Sequence, residues 1–571
     1  MREPDEQAVR ELQNGARISD TLARLLAARG VALADVADIL EPTVKRLCPE
    51  PLTLRDMDKA IARAKAAIER GEQIAIFGDY DVDGSSSAAL LSDFFAGIGR
   101  RPRIYIPDRM TEGYGPNAPA LLALQREGAT LVITVDCGAA AMAPLTAARD
   151  AGLDVVVLDH HAVEHAPPAF AHVNPNQPGD ESRLNHLCAA GVAFLFVVAL
   201  NRALRESGWY TAQGISEPDL RGAVDLVGLA TICDVVPLLG VNRAFVRMGL
   251  NRIAAGARPG LAALASVAGA TAPFTPHHLG FVFGPRINAG GRVGRCSLGA
   301  ELLSSTNLAD AEPLARLLDR HNKERQAIEG VILEEARAMA AAADPDAPFL
   351  LVAGEGWHHG VVGIVAGRLR ERFGRPAFVA GLEGGMGRGS ARSVPGVDVG
   401  AAVRAARKAG VVEAGGGHAM AAGFSLTGDQ VEPFRAFLGR WFAEGAALAG
   451  PADLALDVAI SPSGATPELV QEIARIGPFG AGSPEPVCAA LDATLAYADV
   501  VGDKHVRVKL AGRDGARLDA IAFRAVDTPL GAGLLKARGT RVHVAGALRM
   551  EQWNGRTRVE LHVEDAAPVL G

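Results

Sequence analysis

At 571 residues, with 49% hydrophobic and 22% charged side chains, the chain has the length for several domains with large cores and the composition of a water-soluble globular protein. A formal net charge of −7 excludes a surface coated in basic residues, but not a polyanion-binding cleft lined by a few of them. Met1-Arg2-Glu3-Pro4-Asp5-Glu6 lacks the apolar centre of a signal peptide, and the longest apolar run, Leu187 to Leu200, is too short to span a bilayer and reads as a buried helix. The six cysteines stand singly, without metal or redox spacing, so reduced thiols, a cytoplasmic location and no membrane contact are expected.

A helical segment is expected over 1–50, followed by an α/β domain over 51–305. Ile74-Ala75-Ile76-Phe77 runs into Gly78-Asp79-Tyr80-Asp81-Val82-Asp83-Gly84, Leu131-Val132-Ile133-Thr134-Val135 into Asp136-Cys137-Gly138, and Val155-Val156-Val157-Leu158 into Asp159-His160-His161. Short β-branched runs of this kind read as strands of a parallel sheet covered on both faces, where ligands bind beyond the carboxyl ends of the strands. A turn or helix cap explains one such acid, as at Asp83-Gly84-Ser85, and a His pair alone is often a packing feature. Coincidence at three strand ends is better explained by a shared crevice. Asp234, alone in the apolar segment Leu229 to Leu238, is a candidate fourth contributor, because an unpaired buried carboxylate is costly.

Carboxylates crowded this closely resist ionising unless cations hold them. Imidazole among the oxygen ligands favours manganese, with magnesium as the second candidate. Two such ions about 3.5–4 Å apart can activate a water and clamp a phosphoryl group, so hydrolysis of a phosphoester or phosphoanhydride is the expected chemistry. Arg109, just past the strand Ile104-Tyr105-Ile106, should lie at the same sheet edge. Arg286, in a Gly-rich and Pro-containing segment read as turn-rich, offers a planar fork suited to phosphate.

These residues resemble the DHH phosphoesterase superfamily and, within it, its single-strand-specific exonucleases. Besides the three strand ends, the match includes Tyr105-Ile106-Pro107-Asp108-Arg109 with Gly113-Tyr114-Gly115, Asn174-Pro175, Asp234-Val235-Val236-Pro237 and Pro285-Arg286-Ile287-Asn288-Ala289-Gly290-Gly291-Arg292. It continues through Gly356-Trp357-His358-His359-Gly360 and Gly415-Gly416-Gly417-His418, and so spans most of the chain. The resemblance implies metal ligation by Asp81, Asp83, Asp136, His160 and Asp234. Asp79 joins the metal set and His161 the catalytic one, supporting the site or contacting the scissile phosphate. It implies substrate or phosphate binding by Arg109, Tyr114, Arg286, Asn288, Ser390, Arg392 and His418, with Arg109, Arg286 and His418 on the end phosphate. Two manganese ions, single-stranded DNA as substrate and 5′→3′ polarity are implied in the same way. So are a monomer acting in DNA repair and recombination, and a single-strand-binding protein and a helicase as partners. Two competing readings are a phosphodiesterase of short oligonucleotides or cyclic dinucleotides and a non-catalytic replication scaffold. Ala391 in Ser390-Ala391-Arg392-Ser393 and the extra His359 depart from the family pattern, away from the metal residues.

Further along, Leu314, Leu317, Leu318, Ile328, Val331 and Leu333 among many charges predict a connecting helix from about Ala311 to Ala343, within 306–345, ended by Asp344-Pro345. A second α/β domain, DHH-associated by resemblance, is expected over 346–450. It begins at the strand Phe349-Leu350-Leu351-Val352, and its Gly-rich stretches 381–389 and 415–417 would let backbone approach an anion. From 451 to 571 a small β-barrel like an oligonucleotide-binding fold is expected. His505-Val506-Arg507-Val508-Lys509-Leu510 alternates apolar and basic, and Phe523 and Trp553 are candidate stacking partners for bases.

Overall fold

A computed structural model describes residues 3–109, 111–445, 453–553 and 556–569, with the side chains of Gln552, Trp553 and Arg556 excepted. The apolar runs form the expected parallel sheet: β1 (Gln73–Gly78), β2 (Arg103–Tyr105), β3 (Ala129–Val135), β4 (Asp154–Leu158) and β5 (Ala171–Val173), in the order β2-β1-β3-β4-β5. The strand order reverses between β1 and β3, so the loops leaving those two strands diverge and open a crevice beyond their carboxyl ends. Asp79, Asp81 and Asp136 lie in those loops, and Asp83 in the first turn of the helix that follows β1. Helices Val82–Gly97, Ala189–Glu206 and Val224–Cys233 join the sheet in one core, and the apolar run around 187–200 is the buried helix expected. Among the described residues no helix is long and apolar enough to cross a membrane.

The connecting helix spans Leu308–Ala342, 35 residues, or about 52 Å at 1.5 Å per residue. Ala311, Ala315 and Leu318 are buried in the first domain's core, whereas Ile332, Ala336 and Ala340 pack with Trp357, Val361 and Val365 of the second. One continuous helix, anchored in both cores, thus fixes the distance between the two domains.

The second domain is a mixed sheet of β6 (Leu350–Glu355), β7 (Ala377–Glu383), β8 (Met386–Arg392), β9 (Ala414–His418) and β10 (Ala421–Thr427), ordered β6-β7-β8-β10-β9. The Gly-rich stretches read as anion-binding loops are therefore mainly strands, β7 to β9. Their glycines make room for rings: a Cβ on Gly389 would stand 2.1 Å from the Phe424 ring.

The last unit holds β11 (Val458–Ile460), β12 (Cys488–Val501), β13 (His505–Ala511), β14 (Arg517–Ala522), β15 (Arg541–Trp553) and β16 (Arg556–Pro568). Pairing of β12 with both β13 and β15 closes a five-stranded barrel, β12-β13-β14-β16-β15, the strand order of an oligonucleotide-binding fold. Val506, Val508 and Leu510 point into it, as their alternation predicts. The helices Glu6–Ala16 and Asp20–Ala28 bury Val9, Leu12, Leu22, Leu25 and Leu26 in the same core as this barrel, so the first and last stretches of the chain pack as one body.

Candidate metal centre and phosphate cleft

Asp81 caps the helix that follows β1, its Oδ1 accepting from the backbone N–H groups of Asp83 (3.0 Å) and Gly84 (3.1 Å). The ordinary capping role and a place in the crevice thus coexist in this one residue. Asp83, inside the first turn, is 1% exposed, and its carboxylate accepts from the N–H groups of Ala189 (2.6 Å) and Ala190 (2.8 Å) at the start of helix Ala189–Glu206. These N–H groups at a helix N-terminus favour the anion, yet burial outweighs them and raises this carboxyl above its ordinary range. Asn288 donates no hydrogen bond to Asp81 or Asp83; its Oδ1 accepts from Val82 N–H (3.0 Å), pinning the loop between them.

Asp136 follows β3 with a φ of 58° and is 3% exposed. Asp234 ends helix Val224–Cys233, where a carboxylate faces the negative pole of the helix, and the next residue, the β-branched Val235, also has a positive φ, 57°. Unfavourable backbone at one acid and just past another, held in place by the surrounding fold, is the pattern of strain kept at functional sites.

His160 brings the acids together. Its Nε2 lies 3.5 Å from Asp136 Oδ1, 3.5 Å from Asp234 Oδ2 and 3.8 Å from Asp83 Oδ2. These spacings exceed a hydrogen bond, and among the described residues both His160 Nε2 and Asp234 Oδ2 are buried with no hydrogen-bond partner. Ligands about 2.1 Å from one ion stand about 3–4 Å from each other, so the gap has the size a divalent cation fills. Three overlapping groups could hold metal: Asp79 with Asp81 and Asp136; Asp83 with His160 and Asp234; Asp136 with His160 and His161; within each, the donor atoms lie within 4.8 Å of one another. Asp136 and His160 are shared between groups, as a two-ion centre requires.

The electrostatics agree. Burial, reinforced by Asp81, raises the Asp79 carboxyl to about 7. Burial, with Asp83 and Asp81 adding, raises Asp234 to about 8. Asp136 is pushed far upward by burial and by the charges of Asp81, Asp83 and Asp79. Such a set is held as anions only by added positive charge.

Asp159, the first of the Asp-His-His residues, does not join this set. It is 1% exposed; Oδ2 accepts from Ala139 N–H (3.0 Å), and Oδ1 accepts from His160 N–H (2.7 Å) and meets His161 Nδ1 at 2.7 Å. Burial would raise this carboxyl, yet the hydrogen bond and charge of His161 hold it below the usual range. Burial would lower His161, and Asp159 instead lifts it to about 9. With Nδ1 bound to Asp159, Nε2 is the His161 nitrogen left for a substrate.

Across the gap stands the second domain. The His418 ring stacks on His161 with centroids 6.3 Å apart. Alongside runs a cleft of about 540 Å³ lined by Tyr80, Arg109, Tyr114, Arg292, Arg388, Ser390 and Arg392 among others. Arg109 lies over the Tyr80 ring at 5.1 Å and hydrogen-bonds its hydroxyl. A Cβ on Gly291 would sit 1.8 Å from that ring, so this position must be Gly for the pair to form. Tyr114 donates to the Asp136 carbonyl oxygen (3.0 Å), and Arg392 donates to Ser390 Oγ (2.7 Å).

Arg286 is not brought to this cleft. Its segment is the helix Gly284–Val293 rather than a run of turns, and its guanidinium binds Asp319 Oδ1 on the connecting helix (2.9 Å) and the Val282 carbonyl (2.8 Å). Arg292, from the other end of the same helix, lines the cleft in its place and donates to the Gly360 carbonyl (2.7 Å). The sequence motif contains both arginines but does not say which faces the crevice.

The comparisons with known proteins follow the same division. Residues 73–218 match the DHH family N-terminal domain, 346–444 the DHHA1 domain and 456–565 the RecJ OB domain. The single-stranded-DNA-specific exonuclease RecJ of Escherichia coli is 35% identical over 571 residues, 97% of each chain. This chain belongs to the RecJ family. The RecJ of Bacillus subtilis is 33% identical over 99% of this chain and 70% of its own. The crystal structure of RecJ from Thermus thermophilus in complex with Mn²⁺ superposes with a TM-score of 0.82 at 29% identity, covering all of this chain and 79% of that one; the corresponding Mg²⁺ complex gives 0.77. The RecJ fold, with its parallel DHH sheet, DHHA1 domain and closed barrel, is therefore the fold of this chain.

Proposed function

We propose that this chain is a metal-dependent exonuclease specific for single-stranded DNA, cutting phosphodiester bonds from the 5′ end. The observation that carries the chemistry is the buried, orphaned His160 Nε2, surrounded by Asp83, Asp136 and Asp234, next to Tyr114, which binds the Asp136 carbonyl and lines the arginine-rich cleft. Membership of the RecJ family supports the substrate and the polarity. The ligand set is Asp79, Asp81, Asp83, Asp136, His160 and Asp234, with manganese favoured and magnesium second. Bound ions would supply neutralising charge at the scissile phosphate and a water of lowered pKa.

The protein's own groups do the rest. His161, oriented by Asp159, presents Nε2 toward the phosphate. Arg392, Ser390 and Arg292 grip its oxygens, and Arg109, braced on Tyr80, holds the phosphate at the strand end. Asn288 and Arg286 act from behind, by fixing the Asp81 loop and the connecting helix. Domains over 51–305, 346–450 and 451–571, a monomeric cytoplasmic protein and a role in repair and recombination beside a single-strand-binding protein and a helicase complete the proposal. A phosphodiesterase of short oligonucleotides has less use for a closed barrel, and a scaffold has no use for the full acid set.

On that barrel Arg507 is exposed, whereas Lys509 is partly neutralised by Asp519 at 3.4 Å. Phe523 is 53% exposed just past β14, edge-on to His505 and His562, a ready surface for a base; Trp553's side chain lies outside the described residues. Phe523→Ala should weaken binding of long single strands by about 1–3 kcal/mol with the salt dependence unchanged. Arg507→Ala should instead lower the salt slope by about one, and Lys509→Ala by less. Filter binding across a salt series separates the three, and unchanged affinity in all would place the strand elsewhere.

End-labelled single-stranded and duplex DNA of both polarities, incubated with Mn²⁺, tests the whole reading. The expected result is loss of nucleotides from 5′ ends of single strands alone; degradation only of short oligonucleotides, or none, would overturn it.

A further inference from the structure

Asp234 differs from the other proposed ligands in what holds it. Asp79, Asp81, Asp136 and His160 come from loops at the edge of one sheet and Asp83 from the first turn of the helix after β1, whereas Asp234 follows the end of a helix remote from the sheet edge, and its side chain is 26% exposed against 1% for Asp83 and 4% for Asp136. Past Val235 the chain runs through Pro237 and Leu238 into helix Val241–Ala254. On its inner side Asn242, fully buried, donates to the Pro237 carbonyl (2.9 Å).

On its outer side this loop is held by the third unit of the chain. Leu238 N–H donates to the Ala481 carbonyl (2.8 Å). A Cβ built on Gly480 would stand 3.0 Å from Leu238 Cδ1, and one built on Gly482, whose φ is +66°, would stand 3.0 Å from Pro237 Cβ. The turn therefore packs tightly on the loop, and a side chain at either glycine would displace Leu238 or Pro237.

Arg243 anchors the contact. It is 7% exposed and, among the described residues, has no carboxylate partner. Instead it donates to Ser483 Oγ (2.8 Å) and to the carbonyls of Ile476, Gly477 (3.2 Å) and Ile39 (3.3 Å). A charge is costly to bury this way, and it ties the first domain to the body made by the two ends of the chain.

We propose that the turn Gly480–Ser483, anchored by Arg243, positions Asp234, so that docking of the third unit sets the affinity of the ion held by Asp83, His160 and Asp234 while the ion held by Asp79, Asp81 and Asp136 is unaffected. The proposal rests on the reading of these acids as metal ligands. Its consequence is that the barrel and the hydrolytic centre are coupled through a backbone contact, without any shared substrate.

The test uses the full chain with Mn²⁺ alone, counting bound ions by electron paramagnetic resonance during a titration. The unaltered protein should bind two. In Gly482→Val one of the two should bind at least tenfold more weakly and the other as before, with nuclease activity lost at low Mn²⁺ and restored by excess. Arg243→Met should behave likewise, and Arg243→Lys should recover most of the affinity. Equal weakening of both ions, or no change in either, overturns the proposal. Should Gly482→Val fail to fold, Ser483→Ala and the Arg243 pair carry the same readout. An unaltered protein that binds no Mn²⁺ would instead sink the metal-centre reading itself.

Discussion

Asp136→Asn is expected to lower the rate of single-strand hydrolysis by at least about 10²-fold, the cost of removing one preorganised charge from a reacting centre. At the same time it should make the metal-free protein more stable. Asp136 sits at the middle of the acid set and belongs to two of the candidate metal groups, so neutralising it disturbs both. It is also pushed well toward protonation, by burial first and by Asp81, Asp83 and Asp79 after it, which means the empty fold is working against its charge. Removing that charge relieves repulsion that only cations otherwise offset, a trade of stability against activity common at such sites.

Asn is the right replacement because of the backbone. With φ at 58°, Ala would add about 1–2 kcal/mol of left-handed strain and obscure the gain, whereas Asn tolerates this conformation. The metal-free melting temperature should rise by about 2–4 °C for each kcal/mol of repulsion relieved. Added Mn²⁺ should stabilise the unaltered protein more than the variant, since ligands that bind only the folded state stabilise it by mass action. Turnover within a few-fold of the unaltered protein, or a lower metal-free melting temperature, would remove Asp136 from the centre of the charge balance.

How much of this was legible in the sequence depends on how local each signal is. The acids after β1, β3 and β4 announce themselves because a short β-branched run followed by Asp gives both the strand and its end. Asp234 is weaker: the helix before it is buried on all sides, so periodicity gives no face, and only the oddity of a lone carboxylate in an apolar segment marks it. Asp159 marks its strand end without a role the sequence can assign. It stands beside two His residues and belongs to neither the metal nor the catalytic set expected from the sequence; its hydrogen bonds make it the group that orients one of them. In the second domain β8 and β9 do not read as strands, because glycine hides the alternation that identifies one, whereas the apolar run at β6 does. The shared core of the N-terminal helices and the barrel is a contact between residues more than 400 apart, and no local pattern can name a partner at that distance.

Arg392→Met is expected to raise KM for single-stranded DNA by about 10–100-fold with little change in kcat, the signature of losing a contact made equally in the ground and transition states. Arg392 is half-buried, and its recorded bonds go to Ser390 Oγ (2.7 Å) and the Ala391 carbonyl (2.9 Å), neither of which carries charge. Burial lowers its pKa, and the nearby Arg292, Arg370 and Arg109 lower it further. A cation held among cations, with no ion pair to an acid among the described residues, suits an anion, and the cleft it lines includes Tyr114, whose ring meets His161 edge-on and whose hydroxyl binds the Asp136 carbonyl. The guanidinium also lies close to Gly363, where a Cβ would stand 3.1 Å from Nη2. A planar fork fits that slot and a lysine ammonium does not reproduce it, so Arg392→Lys should recover only part of the affinity. Comparing 5′-phosphorylated with 5′-hydroxyl strands locates the contact: if Arg392 grips the end phosphate, the unaltered protein should prefer the phosphorylated strand and the variant should not. Arg286→Met is the control, because its ion pair with Asp319 is structural; it should lower the melting temperature and leave that preference intact. A normal KM in the Arg392 variant, or equal loss of preference in both, would place the phosphate grip elsewhere in the cleft.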